Sequence, residues 1–167
     1  MAEPELPIWT ATKRNAMAAS EVAAFLARPL VARLATNRAD GFPHLTPVWF
    51  IEEDGRYFFT LGERRRHLRN LRRDPRATLL VDIDERPIAG DDGAVKAVMV
   101  AGEVHITDDP AEVEQYAGRI DARYLGLPDD AEGVALGESY VLAVLSPSVA
   151  MTWDFDKLRA RTQEEEG

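Results

Sequence analysis

Apolar residues follow a β-strand pattern over most of the chain. The runs LVARLATN, HLTPVWFIEE and RYFFTL, between residues 30 and 61, are separated by ADGF and EDGR. Because an Asp-Gly pair between apolar runs is typical of a hairpin, these segments predict an antiparallel meander. ATLLVDID and AVKAVMVAGEVHIT predict two more strands, and Gly102 in the second indicates a bulge or bend. ESYVLAVLSPSVAMTWDF predicts two closing strands around Ser146-Pro147.

Three segments have helical rather than strand character. Ser20 is a candidate N-cap for a short helix that Pro29 ends. The segment RRRHLRNLRR predicts a second helix, which ends at Asp74 because the residue before Pro75 avoids the helical region. DPAEVEQYAGRIDARYL, residues 109–125, predicts a third helix with proline at its first position.

The run from residue 43 to 51 is apolar at odd and even positions alike, so both of its faces need cover. We expect one set of side chains to fill the interior of a barrel, and the other to pack on a helix, a ligand or a partner subunit. Pro47 cannot donate to a strand ladder, which places this strand at an edge or at a bulge. The pattern predicts a mainly β fold, a β-barrel with flanking helices.

The length and composition fit one compact domain. The chain has 167 residues, of which 46% are hydrophobic. We expect an N-terminal arm over residues 1–19, the barrel domain over 20–156 and a charged tail over 157–167. No apolar run approaches a membrane span, and the N-terminus lacks the basic start and apolar core of a signal peptide. These features predict a cytoplasmic protein without a membrane partner.

Positive charge is concentrated in one segment of an acidic chain. The net charge is −9, whereas residues 60–77 carry seven arginines and one histidine against two acids. A nucleic-acid-binding protein usually has a broad basic face, so we expect no nucleic-acid partner. A local basic segment is better matched to a small anion or to a structural ion-pair network. The absence of cysteine and three scattered histidines predict no protein-bound metal.

Two interpretations of the basic helix remain open. Arg64, Arg65 and Arg66 fall in its predicted first turn, where the helix dipole disfavours cations. A phosphate or carboxylate bound there would offset this cost and would also engage free backbone N–H groups. The alternative is a solvated helix face, which is the favoured interpretation for Arg69 and Arg73.

Other candidate site residues lie on the predicted strands. Thr46 and Thr60 could offer hydroxyl groups near the helix start, although threonine is also simply common in strands. Trp49, Trp153 and Tyr124 could flank a flat ring or belong to the core. His44 is expected in a turn or at the surface. No catalytic triad or glycine-rich phosphate loop is evident, so the chemistry is expected to belong to a bound cofactor and the catalytic residues are unknown.

The order of the segments resembles a known superfamily. FLARPLVARLATNRADGFPHLTPVWF, YFFT, RHLRNLRRDPRATLLVD, VMVAGEVHIT, RYLG and SPSVAMTWDF together resemble the pyridoxamine 5′-phosphate oxidase-like split-barrel proteins over residues 22–155. The resemblance is closest to the branch of reductases that use the deazaflavin coenzyme F-420. It implies a six-stranded antiparallel split barrel of the FMN-binding type, which forms a homodimer with two cofactor sites at the subunit interface.

The same resemblance implies which residues bind the cofactor. Two groups would do so: a strand group lining the ring pocket and a helix group holding the phosphate and its extension. The strand group is Thr46, Pro47, Val48 and Trp49, and the helix group is Thr60, Arg64, Arg65, Arg66, His67 and Asn70. Relatives often have lysine where this chain has His67. Because histidine is neutral or weakly charged, the local positive charge is lower in this chain.

The resemblance implies a flavin- or deazaflavin-dependent oxidoreductase that transfers hydride to a small unsaturated or aromatic substrate. The excess of arginine favours coenzyme F-420, whose phosphodiester is followed by a tail with several carboxylates. The alternative is an FMN-binding oxidoreductase of the same fold, since FMN has one phosphate. A second alternative is a non-catalytic flavin- or deazaflavin-binding protein. The sequence does not identify the substrate.

Overall fold

The computed structural model describes residues 14–85, 95–128 and 139–158, and these ranges contain one seven-stranded antiparallel sheet and three longer helices. In chain order the elements are α1 (Ala19–Leu26), β1 (Ala32–Asn37), β2 (Pro43–Val48), β3 (Ile51–Glu53), β4 (Arg56–Gly62), α2 (Arg66–Arg73), β5 (Arg76–Asp84), β6 (Val95–Thr107), α3 (Pro110–Leu125) and β7 (Tyr140–Asp154). The strands lie in the order β2-β1-β5-β6-β7-β4-β3.

The run from residue 43 to 53 forms both edges of the sheet. β2 and β3 are consecutive in sequence, yet they lie at opposite ends of the strand order. Only Trp49 and Phe50 join them, so the sheet is rolled until its edges approach each other at this point. The Phe50 N–H donates to the Tyr124 hydroxyl at 3.3 Å, which withdraws it from a strand ladder.

This break changes the predicted strand count. The expectation of six strands and of one strand over residues 43–51 is wrong, because the run divides into two strands. The mainly β, antiparallel character and the flanking helices are confirmed. Seven strands result, and the two edges do not pair with each other within the described residues. The prediction that Pro47 lies on an edge strand is confirmed.

The last strand is continuous where the sequence predicted two. β7 runs from Tyr140 to Asp154 and pairs with β4 and with β6. The pairing with β6 shifts register after Ala101, because Gly102 lies opposite Pro147 and Ser148 is the extra residue. A β-bulge absorbs the proline without ending the strand. The predicted irregularity at Gly102 is therefore confirmed, whereas the division into two strands is wrong.

Local signals explain most helix ends. The Asp109 carboxylate caps α3 by accepting from two backbone N–H groups, and Gly126 ends that helix in the left-handed region at φ 67°. α2 ends at Asp74, as predicted. α1 begins one residue before Ser20, with Ala18 as its N-cap. The Glu21 carboxylate accepts from the Ala18 N–H at 2.6 Å, so a capping residue other than the one predicted satisfies this end.

The core lies between the inner face of the sheet and the helices α1 and α2. Val48 and Phe50 belong to it, as do Phe25 of α1 and Leu68 of α2. Its largest fully buried side chains include Phe50, Phe59, Leu34, Leu61, Leu68, Leu79 and Leu145. α3 covers the outer side of β4, where the rings of Phe58 and Tyr116 stack with centroids 4.3 Å apart.

The remaining outer face of the sheet is apolar and lacks full cover. Its side chains alternate along each strand with those of the core, and they are partly or largely exposed. Across β2, β1, β5, β6 and β7 two of its rows are Leu45, Ala35, Thr78, Ala101 and Val149, followed by Pro47, Arg33, Leu80, Met99 and Met151. Leu45 is 64% exposed, and nearby Phe42 is 68% exposed. This set is called the outer apolar face below.

The chain preceding α1 contacts the sheet. Asn15 and Met17 are buried, and the Met17 N–H donates to the Thr152 hydroxyl at 3.0 Å. Residues 1–13 of the predicted arm and 159–167 of the predicted tail lie outside the described residues. Lys157, at the start of that tail, donates to the Ala16 carbonyl at 2.8 Å.

Replacing Gly102 with alanine should destabilise the fold, because the new Cβ would lie 2.1 Å from the Ser146 carbonyl oxygen. A backbone atom cannot rotate away, so we expect a loss of about 3 kcal/mol in the free energy of unfolding by urea denaturation. Gly41→Ala is the control: its Cβ would meet nothing within 4 Å, and its φ of +84° should cost only about 1 to 2 kcal/mol. Equal losses in the two variants would contradict the close approach.

Candidate functional site

Helix α2 begins with cations and no acid. Arg65 is its N-cap, with no side-chain hydrogen bond to the helix, and its first turn contains no acidic residue. Arg66 starts the helix and Arg64 lies in the preceding turn, so the prediction that all three arginines occupy the first turn is corrected. All three are exposed, and among the described residues neither Arg64 nor Arg66 has an ion-pair partner. Unfilled backbone donors and the guanidinium groups of Arg64 and Arg66 thus share this end of the helix.

At the other end of α2, Arg73 and the following Arg76 are bonded within the fold. The Arg73 guanidinium donates to the Asn37 carbonyl. The expectation that Arg73 is simply solvated is therefore wrong, although the residue is exposed. Arg76 binds Asp74 through two hydrogen bonds, of 2.9 and 2.8 Å. These bonds, together with one from Asn37, hold the pKa of the Asp74 carboxyl well below its usual range. The structural ion-pair interpretation therefore describes this end, whereas the anion interpretation fits the beginning of the helix.

A buried amide attaches α2 to the sheet. Asn70 is 4% exposed, and its side chain donates to the Thr36 hydroxyl of β1 at 3.0 Å. The Thr36 hydroxyl is in turn within 3.5 Å of the His44 carbonyl of β2. Leu68 and Leu71 of the same helix are also buried. The side chain of Asn70 thus has a role in the fold, and its contact with a cofactor stays a prediction.

Two histidines meet between β2 and α2. The ring centroids of His44 and His67 are 6.2 Å apart, with the rings tilted by 45°. His44 Nδ1 and His67 Nε2 are buried and have no hydrogen-bond partner. Burial, together with smaller repulsive effects of His44 and Arg65, lowers the pKa of His67 to about 4. His67 is therefore neutral at pH 7 in the protein alone.

His44 is a site candidate that the sequence did not reveal. It follows a proline at the start of a strand, which is the usual setting of a surface residue. In the structure β2 pairs with β1, with His44 opposite Thr36, and this register directs the His44 side chain to the inner face of the sheet. The alternation of β2, whose inner positions reach the core at Val48, is the signal that could have found it.

Trp49 and Tyr124 form a stacked pair beside the site. Their ring centroids are 4.9 Å apart and their planes differ by 3°. The Tyr124 hydroxyl donates to the Leu30 carbonyl at 2.6 Å, which fixes its ring. Trp49 is 38% exposed, so part of the indole is accessible. Trp153 lies on β7 opposite Ala97 and has no ring contact with this pair among the described residues.

The remaining predicted site residues divide between two strands. On β2, Thr46 is half-buried, Pro47 is exposed and Val48 is buried in the core. On β4, Thr60 is partly buried and lies two residues before Gly62, whose carbonyl accepts the Arg65 N–H at 3.0 Å. β4 therefore leads directly into the start of α2. The contact between His44 and His67 brings the helix terminus against β2.

A separate groove of about 710 Å³ crosses β1, β2, β5, β6 and β7. Ala35, Thr78 and Ala101 line it and also belong to the outer apolar face. None of the predicted site residues lines the groove. Among the described residues, no helix has the length and apolar character needed to cross a membrane.

Comparisons with known proteins agree with the architecture. The model of the pyridoxamine 5′-phosphate oxidase family matches residues 18–153. A conserved hypothetical protein from Mycobacterium tuberculosis is similar in structure, with a TM-score of 0.74, 24% identity and coverage of 88% of this chain and 91% of that one. An F-420 reductase is similar with a TM-score of 0.61, 27% identity and coverage of 76% and 93%.

A third similar structure has a different role in its description. It is a heme storage protein from Vibrio cholerae, with a TM-score of 0.57, 21% identity and coverage of 77% of this chain and 89% of that one. No curated protein matches the chain. The family match extends from the start of α1 almost to the end of β7, so it includes the sheet and the candidate site. The chain therefore belongs to the pyridoxamine 5′-phosphate oxidase family, as the order of its sequence segments suggested.

Proposed function

We propose that the protein is an oxidoreductase that binds the deazaflavin coenzyme F-420 and transfers hydride to a small unsaturated or aromatic substrate. The observation that carries this proposal is the unequal use of the arginines of α2. Arg73 at its end binds a carbonyl of β1 and Arg76 just beyond it pairs with Asp74, whereas Arg64 and Arg66 at its start have no ion-pair partner among the described residues. An anion bound at that terminus would meet both guanidinium groups and backbone N–H donors.

The length of the anionic group favours the deazaflavin. The cationic surface extends over Arg64, Arg65 and Arg66, all of which are exposed. FMN would bring one phosphate to it, whereas coenzyme F-420 would bring a phosphodiester and several carboxylates. More anionic groups can engage more of the guanidinium groups at once. FMN is the second candidate, because the same terminus also has enough donors for one phosphate.

The strand group suits the planar part of such a cofactor. Trp49 is 38% exposed, and the stack with Tyr124 holds its ring in place, so it could pack against a planar group. Pro47 adds an exposed apolar ring on the outer face of the same strand, whereas the Thr46 hydroxyl lies on its inner face. The bound deazaflavin would supply the hydride. The residues of this chain would bind its tail, orient its ring and limit the access of water.

A second copy of the chain is the proposed cover of the outer apolar face. Leu45 and Pro47 project from β2 onto that face, while Thr46 between them points inward. Exposed apolar surface of this kind favours association, and a self-complementary contact would produce a homodimer. Because one edge strand carries both the dimer contact and the ring group, the cofactor site would lie at the subunit interface.

Direct titration tests the cofactor. We expect the protein to bind coenzyme F-420 more tightly than FMN, as measured by fluorescence, with an affinity that falls as salt rises because the contacts are ionic. Tighter FMN binding would replace the first candidate by the second. Binding of either cofactor without turnover of any substrate would support the non-catalytic alternative. No binding of either would refute the proposed function.

Replacing arginines at the two ends of α2 separates a binding site from a diffuse basic field. Arg64 and Arg66 to alanine should weaken coenzyme F-420 binding by about 2 to 4 kcal/mol, because two charge-assisted contacts are lost. The matched control is Arg69 and Arg72 to alanine, since both are exposed and lack an ion-pair partner among the described residues. We expect the control to lose less than about 0.5 kcal/mol by the same titration. Equal losses would indicate a diffuse field.

A charge on the outer apolar face should prevent dimerisation. Light scattering should give the unmodified protein twice the chain mass of 18.6 kDa, and Leu45→Glu should shift it to the monomer mass. Leu125→Glu is the control, because Leu125 is an exposed leucine at the end of α3 instead. An unmodified protein that is monomeric at micromolar concentration would exclude the dimer and the interfacial site.

A further inference from the structure

Two polar atoms beside the start of α2 have no hydrogen-bond partner in the fold. They are His44 Nδ1 and His67 Nε2, and both are buried. The neighbouring polar groups are bonded, since Asn70 donates to Thr36. A buried ring nitrogen without a partner costs free energy unless a ligand or water completes it. The imidazole pair therefore has bonding capacity left for a group that enters between β2 and α2.

The charges around His67 are positive or absent. His44 faces it from β2, and Arg65 precedes it at the N-cap. From β1, Thr36 contributes a neutral hydroxyl, and β4 ends nearby in the uncharged residues leading to Gly62. Glu63 is the acid nearest in sequence; it is exposed, and no ion pair joins it to His67 among the described residues. Burial, with smaller effects of His44 and Arg65, keeps the pKa of His67 low in the protein alone.

We propose that anion binding at this terminus takes up a proton on His67, which becomes a third cation beside Arg64 and Arg66 only when the anion is present. The inference rests on the proposed function for the identity of the natural ligand, and it concerns how that ligand is recognised. A phosphate or carboxylate near the ring offsets the repulsion from Arg65 and favours the charged imidazole. A lysine at this position, as in related proteins, would be charged with or without the anion, whereas His67 would be charged only when the anion is bound.

The sign of the pH dependence follows from this linkage. The pKa of His67 is about 4 in the protein alone, and a bound anion raises it. Between these two pKa values the complex holds one more proton than the free protein. Affinity should therefore fall about tenfold for each unit of rising pH in that interval and become constant above the pKa of the complex. A neutral His67 that merely donated a hydrogen bond would give no such dependence.

Histidine NMR tests the proton uptake without the cofactor. The chain has three histidines, and the third, His105, is exposed on β6 and acts as an internal reference. The imidazole shifts are followed from pH 8 to 3.5 in sodium sulfate, which stays a dianion over this range, and in sodium chloride of equal ionic strength. We expect sulfate to raise the midpoint of His67 by at least two pH units and to leave His105 unchanged. No movement, or equal movement of both, would overturn the proposal.

Affinity measurements connect this behaviour to the cofactor. Coenzyme F-420 is titrated at pH 5 and pH 8 into the unmodified protein, His67→Lys and His67→Gln, so that titration of the coenzyme itself cancels. The unmodified protein should lose about tenfold more affinity between these pH values than either variant. Identical pH dependence in all three would refute the role of His67 while leaving the proposed function intact. No coenzyme binding by any of them would refute the proposed function, and the sulfate experiment would still decide the proton uptake.

Discussion

The hydroxyl of Tyr124 fixes the place where the chain crosses from one edge of the sheet to the other. It donates to the Leu30 carbonyl and accepts the Phe50 N–H, so one side chain of α3 holds two distant backbone segments. Phe50 is then fully buried, and Trp49 is directed outward onto the Tyr124 ring. This crossing makes β2 an edge strand and rolls the sheet. The directions of the candidate ring residues on β2 depend on it.

The two ends of helix α2 differ in how they are bonded. The terminal part of α2 is bonded to β1 and to the chain around Asp74, which makes its position rigid. The initial part is left with exposed cations and unfilled donors, which is unfavourable for an isolated helix. In the proposed function, a bound anion would offset this cost. A rigid attachment and an unsatisfied terminus are therefore complementary features of one element.

Much of the fold could be predicted because its signals are local. Asp109-Pro110 and Asp74-Pro75 marked helix ends through backbone sterics and capping that act within a few residues. Gly102 marked the bulge because only a residue without Cβ fits against Ser146. The order of segments then indicated the family, which no single motif did.

The features that could not be predicted depend on contacts far apart in sequence. The break at Trp49 requires Tyr124, which is distant along the chain, and the cap of α1 used a glutamate in place of the expected Ser20. The continuity of β7 through Pro147 required the register of β6. The site was predicted as two groups from the resemblance, but the contact of His44 with His67 arises only when β1, β2 and α2 pack together. Local sequence carries no signal for such a meeting.

The pairing of β4 with β7 has a consequence for the order of events during folding. Thr60 lies opposite Leu142, so almost half of the chain separates these partners, whereas β1 with β2 and β3 with β4 form local hairpins. Loop-closure entropy makes such distant pairing late relative to hairpin formation. β4 leads into α2, so the candidate anion site takes its final position only after the last strand has docked. A ribosome-bound chain would therefore acquire this site only after β7 has left the ribosome.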